Sequence, residues 1–295
     1  MKTFLTLDLG GTNCRFALVD ERGGIIKKET HPTPPPREFY KLLQEFSESL
    51  SVKPVAAGFA LAGPVDPATG ILNSPVNMQG WAIEPIGKNA SELLGIPVFC
   101  GNDASLACFG EAKLGAGLGV ENLVLLTLGT GIGGGAIVNG QLHLGTQGQA
   151  LEVGHMQIFN QGRQCGCGLN GHLEAYVSGT ALGQIATERF GKATTSKELF
   201  ESSDKVSKEI IADAATNLGF GLANLVHLFN PKLILFSGSL AEHWEVFVLP
   251  AGRAMEDQLM PAFKGVVQIQ PAKLAGDAGL LGAMAWAKAG FELQK

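Results

Sequence analysis

Short apolar runs bounded by glycine, proline or asparagine recur along the chain. They alternate with longer stretches whose apolar positions return every three or four residues. The first pattern is that of buried strands and the second that of amphipathic helices. Residues 3–9, 14–19, 25–30, 55–61 and 98–102 read as strands, with helices over 37–50 and 86–94 and another opening at Asp103. The Pro-rich segment 32–36 is expected to be irregular, because proline lacks the amide that a ladder needs. A turn-rich loop at 63–70 leads to a short strand at 71–73 and a loop at 77–81. The order then starts again with strands at 123–128 and 136–138 and helices at 180–190 and 205–229, the latter stopped by Asn230-Pro231. A strand at 232–236, a helix opened by Ser237-Gly238-Ser239, a strand at 266–270 and a helix at 277–289 complete the chain. Strands alternating with amphipathic helices predict a layered α/β fold.

Two segments within this pattern look alike. Residues 7–13 read LDLGGTN and residues 126–135 read LTLGTGIGGG, each a strand, a glycine turn and a second strand at the head of a similar unit. That predicts a duplicated α/β unit. Turn amides freed by glycine can cradle an anion, and Asp8, at a strand end beside Gly10, Gly11, Thr12 and Asn13, can hold Mg²⁺ through water. An ordinary hairpin turn remains the alternative for either segment alone. Two of them point to a nucleotide cleft between two lobes, and no G-x-x-x-x-G-K-[ST] phosphate loop is present.

Residues 152–178 place His155, Cys165, Cys167 and His172 within a short glycine-rich stretch, with Glu152 and Glu174 just outside. Thiolate and imidazole are the ligands that tetrahedral Zn²⁺ prefers, and four protein ligands make a closed, structural site. The competing readings are a flexible loop with spare thiols, or a Cys165–Cys167 disulfide across a loop short enough to strain it. Asp103, where a strand meets a helix, is by its local sequence either a helix cap or a catalytic base. Gly63, Asn77, Asn102, Glu152, His155 and Glu174 are candidate hydroxyl-binding groups, although each acid taken alone is more often a solvated surface residue.

Composition narrows this picture a little. A chain of 295 residues is long enough for two lobes, and its 40 glycines exceed ordinary usage. The formal net charge of −5 argues against nucleic acid or an anionic membrane as partner. Cys14, Cys100 and Cys108 sit in apolar settings and read as small core residues, which suits a reducing cytosol. Asp8 comes too early for a signal-peptide apolar region, and no apolar run approaches the length of a membrane span, so a cytoplasmic location is expected.

The segments Glu152-Val-Gly-His155, Cys165-Gly-Cys167-Gly, Gly171 and Glu174 resemble the signature of the ROK family of sugar kinases and sugar-responsive repressors. DLGGTN and LTLGTGIGGG are similar to the two phosphate segments of the actin/hexokinase/Hsp70 fold, and Phe236-Ser-Gly238-Ser239 to its adenosine segment; the match runs from Asp8 to the last helix. The resemblance implies a two-lobed, ribonuclease H-like ATPase fold. Its lobes would be residues 1–105 with 277–295, and 106–276 with the zinc loop. It further implies ATP, Mg²⁺ and structural Zn²⁺ as cofactors, Asp103 as the base, and Glu152, His155 and Glu174 in the sugar pocket. Gly129, Thr130, Gly131, Gly133 and Gly238 would serve the nucleotide, and a homodimer is expected. The activity implied is phosphoryl transfer to the 6-hydroxyl of a hexose, with glucose first and N-acetylmannosamine or N-acetylglucosamine as the alternative. A sugar-sensing repressor would need a DNA-binding segment ahead of the first hairpin, and that strand starts at Thr3. A binding module without catalysis is the remaining rival, opposed by Asp8, Asp103, Glu152 and Glu174 occurring together. The chain departs from the family pattern at His172, where a third cysteine is usual, at Ser105 and Ser237, and in the SPVNMQGW segment that contains Asn77.

Overall fold

The computed structural model describes residues 1–294 apart from Val76, Asn77 and Gln79. Strand β1 (Thr3–Leu9) turns directly into β2 (Asn13–Asp20), and β3 (Ile25–Pro32) follows. Helix α1 (Pro36–Glu48) leads to β4 (Ala56–Leu61), the small hairpin of β5 (Val65–Asp66) and β6 (Ile71–Leu72), and then α2 (Ile86–Leu94), β7 (Val98–Asn102) and α3 (Asp103–Leu114). The second unit opens with β8 (Leu123–Leu128), β9 (Ile132–Val138) and β10 (Gln141–Leu142). After the Cys/His loop come α4 (Glu174–Val177), α5 (Gly179–Phe190), α6 (Ser196–Glu201) and α7 (Lys205–Phe229). The chain ends with β11 (Leu233–Ser237), α8 (Leu249–Gln258), β12 (Gln268–Pro271) and α9 (Ala278–Leu293).

The strands form two five-stranded sheets, ordered β3-β2-β1-β4-β7 and β10-β9-β8-β11-β12. In each, an antiparallel meander supplies three strands and two parallel strands extend the other side. The same ladder built twice is the duplicated unit expected from the two glycine hairpins.

Helices α3 and α9 join the two halves. A β carbon on Gly282 of α9 would stand 1.8 Å from the Leu106 carbonyl of α3, and one on Gly58 of β4 would stand 1.9 Å from the Ala283 carbonyl. Only glycine permits backbones to approach so closely. Helix α7 buries Ile210, Ile211, Ala214, Leu218, Leu222 and Val226 along one stripe, as its 3.6-residue period requires. It ends at Asn230, whose left-handed backbone (φ 44°) caps it before Pro231.

The structure corrects several sequence-based boundaries. The segment at 32–36 is not irregular throughout: Pro32 ends β3 on the sheet edge, where no amide is demanded, and Pro36 opens α1, where a missing amide costs nothing. Strand β9 starts at Ile132, inside the glycine run, because those glycines lie flat against a helix. The helix expected after Ser239 is delayed: a 3₁₀ turn (Ser239–Glu242) and a π turn (Trp244–Val248) come before α8. Among the described residues no helix is long and apolar enough to cross a membrane.

Candidate active site and metal centre

Leu9, Leu61 and Asn102 lie side by side at the carboxyl ends of the parallel strands β1, β4 and β7. The Gly10 turn, the Gly63 loop and Asp103 therefore share one rim, which is where ligands bind in open α/β sheets. In the first turn the Gly10 amide donates to the Asn13 carbonyl at 2.9 Å, while the Thr33 hydroxyl and amide hold the carbonyls of Gly10 (2.5 Å) and Thr12 (3.0 Å). Gly11, Thr12 and Asn13 remain exposed. Asp8 lies buried behind them, paired with Arg15, which also donates to the Gly276 carbonyl. Its carboxylate sits against the start of α9, so that a β carbon on Gly279 would come within 2.6 Å of Oδ2. Burial raises the Asp8 pKa, and the Arg15 charge opposes that rise. One carboxylate of this kind suits an ion that takes most of its ligands from water and phosphate oxygens, as Mg²⁺ does.

Asp103 is the first residue of α3, but it does not cap the helix. Asn102 does: its Oδ1 accepts from the Ser105 amide at 3.1 Å, and its Nδ2 donates to the Gly63 carbonyl at 3.4 Å. Asp103 Oδ1 accepts from the Ala104 amide at 2.8 Å, and Oδ2 has no hydrogen-bond partner among the described residues. Burial, reinforced by the nearby Asp8 and Glu152 charges, pushes its pKa up to about 7. A carboxylate poised there can take a proton near neutral pH. Gly63 has φ +119°, and a β carbon on it would lie 2.9 Å from Pro75. Asn77 lies outside the described residues.

The second rim belongs to β8 and β11. Gly129 donates to the Gly131 carbonyl at 3.0 Å, and the Gly179 and Thr180 amides at the start of α5 hold the Gly129 and Thr130 carbonyls at 2.8 and 3.3 Å. Gly238 has φ +91°, and a β carbon there would meet the Leu128 carbonyl at 2.4 Å. The glycine run divides into two functions. Gly129 is open to space, whereas β carbons on Gly133 and Gly135 would collide with Ala104 (2.9 Å) and Cys108 (2.5 Å) of α3. Gly133 thus lets the first turn of α3, and Asp103 with it, pack beside the second glycine turn. A groove of about 840 Å³ opens here, lined by Gly129, Thr130, Gly179, Thr180, Thr195 and Ser239. Sequence reasoning missed the contributions of α5 and Thr195. Their only local signals are the cap at Ser178, which accepts from the Ala181 amide, and the Thr195–Glu198 capping box.

His155, Cys165, Cys167 and His172 converge, with one ligand atom from each lying within 4.8 Å of all the others. Cys167 Sγ stands 3.2 Å from His172 Nδ1 and Cys165 Sγ stands 3.7 Å from His155 Nδ1. The edges of a tetrahedral zinc site are about 3.3–3.8 Å, from metal–ligand distances of about 2.0–2.3 Å. The donor set fits Zn²⁺, and these two spacings lie close to the edges of such a site. Gly171 shapes the loop: at φ +78° its absent β carbon leaves room for the Phe159 carbonyl, 1.8 Å from where that carbon would be. His155 faces Cys165 Sγ with its Nδ1, which leaves Nε2 as the ring nitrogen free of that contact. Glu152 is exposed beside it, and Glu174, at the start of α4, accepts from the Ile132 amide at 2.8 Å. Purified protein is expected to carry about one zinc per chain. His172→Ala should lose it and His172→Cys should keep it, as measured by atomic absorption. Zinc-free wild type would refute the site.

The family model described as the ROK family matches residues 4–290. A glucokinase from Thermotoga maritima is 31% identical, over 94% of both chains. Among solved structures, a ROK hexokinase from Thermus thermophilus superposes with a TM-score of 0.87 at 33% identity, covering 98% of this chain and 99% of that one. A ROK family glucokinase from Streptomyces griseus, crystallised with glucose and AMPPNP, gives 0.83 at 31% identity, with 97% and 99% covered. The two-sheet architecture is that of the actin/hexokinase fold.

Proposed function

The chain belongs to the ROK family, as one of its sugar kinases, and we propose that it transfers the γ-phosphate of ATP to the 6-hydroxyl of glucose. One observation carries the chemistry. Asp103 is relieved of capping by Asn102 and has its proton affinity set near neutrality. It opens the helix that starts on the rim of the first glycine turn and packs its Ala104 against Gly133 of the second glycine segment. In this reading the carboxylate orients the sugar hydroxyl and takes its proton as the oxygen attacks phosphorus. The turns at 10–13 and 129–131 cradle the phosphates through the amides that their own hydrogen bonds leave free, and the groove beside α5 and Ser239 receives the nucleoside. Gly238 allows β8 and β11 to come close enough to form its floor. Mg²⁺ held near Asp8 would neutralise charge on the phosphates.

Asn102, Glu152, Glu174, His155 Nε2 and the Gly63 loop would bind the sugar, together with Asn77. The metal would then hold His155 in position for a hydroxyl while taking no part in the reaction. We place the moving lobes at 1–105 with 277–295 and at 106–276, joined where α3 crosses α9. Closure would exclude water, which otherwise competes as acceptor.

Glucose is favoured over an N-acetylhexosamine by the glucokinase relatives. ADP release with Mg-ATP across glucose, N-acetylmannosamine, N-acetylglucosamine, mannose and fructose tests the choice. Glucose is expected to give the highest kcat/KM. A preference for an N-acetylated sugar would replace the substrate and keep the mechanism, and turnover of none would sink the kinase reading.

A further inference from the structure

We propose that the Cys/His loop splints the nucleotide groove, and that Glu174 is the positioning residue joining loop order to the turn at 129–131. This inference rests on the groove being the nucleotide site. Ile132, which closes that turn, is gripped from both sides by segments that carry metal ligands. From one side Glu174, two residues after His172, accepts the Ile132 amide on Oε2 at 2.8 Å, while its Oε1 stands 3.8 Å from Cys165 Sγ. Gly131 presses on the same carboxylate, and a β carbon there would lie 2.7 Å from Oε2. From the other side the turn carrying His155 packs so closely that a β carbon on Gly154 would lie 2.6 Å from the Ile132 carbonyl. A single carboxylate thus touches both the ligand cluster and the glycine turn.

A second strut runs from the same loop. Arg163 forks onto Glu188 at 2.7 and 2.6 Å, and its amide donates to the Tyr176 hydroxyl of α4 at 2.7 Å. Glu188 lies on α5, whose first amides hold the carbonyls of Gly129 and Thr130. The Arg163–Glu188 pair is exposed, with side-chain accessibilities of 30% and 59%, so screening leaves it weak. Glu174, half-buried and bonded to backbone, is the stronger link, because a charge-assisted bond to an amide is worth more than an exposed ion pair. Without the metal, the ligand-bearing segments on either side of Ile132 are held by backbone bonds such as Leu173 to Met156 and Ile158 to Gly171, both 2.9 Å. The Cys165–Cys167 stretch loses its coordinate tie to them, and the turn should become less firmly ordered.

The test is calorimetric binding of Mg-ADP without sugar, so that sugar contacts play no part. It would compare wild type carrying zinc, wild type stripped by a chelator, and Glu174→Ala and Glu174→Gln each shown to retain zinc. Stripping and Glu174→Ala are each expected to weaken ADP about tenfold, the loss of one charge-assisted bond. Glu174→Gln keeps an acceptor for the Ile132 amide and should recover most of the affinity. Hydrogen exchange at Ile132 should quicken in the stripped protein and in Glu174→Ala while β8 stays protected. Should chelation expose the whole sheet, the zinc-bound Glu174→Ala protein decides. Wild-type affinity in that variant overturns the proposal. Failure of the zinc-loaded wild type to bind ADP at all would instead overturn the groove as the nucleotide site.

Discussion

Asp103→Asn is expected to lower kcat by about 10²–10⁴-fold, the range that a positioned general base contributes. The fold should be untouched, since Asn102 supplies the cap and the Asp103 carboxylate accepts from the adjacent Ala104 amide, a bond that an asparagine oxygen can also accept. Mg-ADP affinity should be unchanged. Wild-type kcat/KM should fall about tenfold for each pH unit below about 7, because the base works only when deprotonated and burial sets its pKa there. In the variant that limb should disappear from the residual rate. Stability provides an independent sign. A carboxyl whose pKa is raised on folding makes the native state bind more protons than the unfolded chain between about pH 4 and 7, so stability falls as pH rises through that window. Asparagine carries no such penalty, and Asp103→Asn should melt no lower than wild type at pH 8. A variant within tenfold of wild-type kcat, or one that melts several degrees lower, would remove Asp103 from the role of base.

The second large effect is mechanical. Gly282→Ala places a methyl where the Leu106 carbonyl already lies, 1.8 Å away, and backbone on both helices would have to move. Overpacking of this kind costs about 1–3 kcal/mol, and more where neither partner is a flexible side chain. The melting temperature should fall by at least about 3–6 °C. Leu106 lies one turn along α3 from Asp103, so kcat should fall as well, with the base itself intact. Gly129→Ala is the stability control, because nothing stands within 4 Å of that β carbon. Equal melting of Gly282→Ala and wild type would mean that the α3–α9 crossing is looser than the packing indicates.

Both cases show where local pattern stops being informative. LTLGTGIGGG reads as one glycine-rich turn, yet it consists of a turn at 129–131 and a strand whose glycines accommodate a helix from another part of the chain. Asn102 and Asp103 are both good caps by composition, and only their geometry shows that Asn102 is the one that caps. Glu174 stands out as an acid beside a metal loop. That its carboxylate holds the Ile132 amide depends on two segments 42 residues apart being folded together. The groove behind Thr195 and Gly179 had no motif, because it is made of helix starts whose caps look like any others.

What the sequence determined by itself was what local spacing controls. Apolar runs of strand length placed β1, β4, β7, β8 and β11, and a 3.6-residue stripe ending in Asn-Pro set the bounds of α7. Soft ligands crowded into one loop marked the candidate metal cluster, because a short glycine-rich segment cannot keep them far apart. Tertiary structure alone decided which glycines turn and which let backbones touch, which acid has its pKa pushed up to about 7, and which amide Glu174 holds. Those properties come from close approach between distant segments and from removal of water around a charge. Neither leaves a period in the chain.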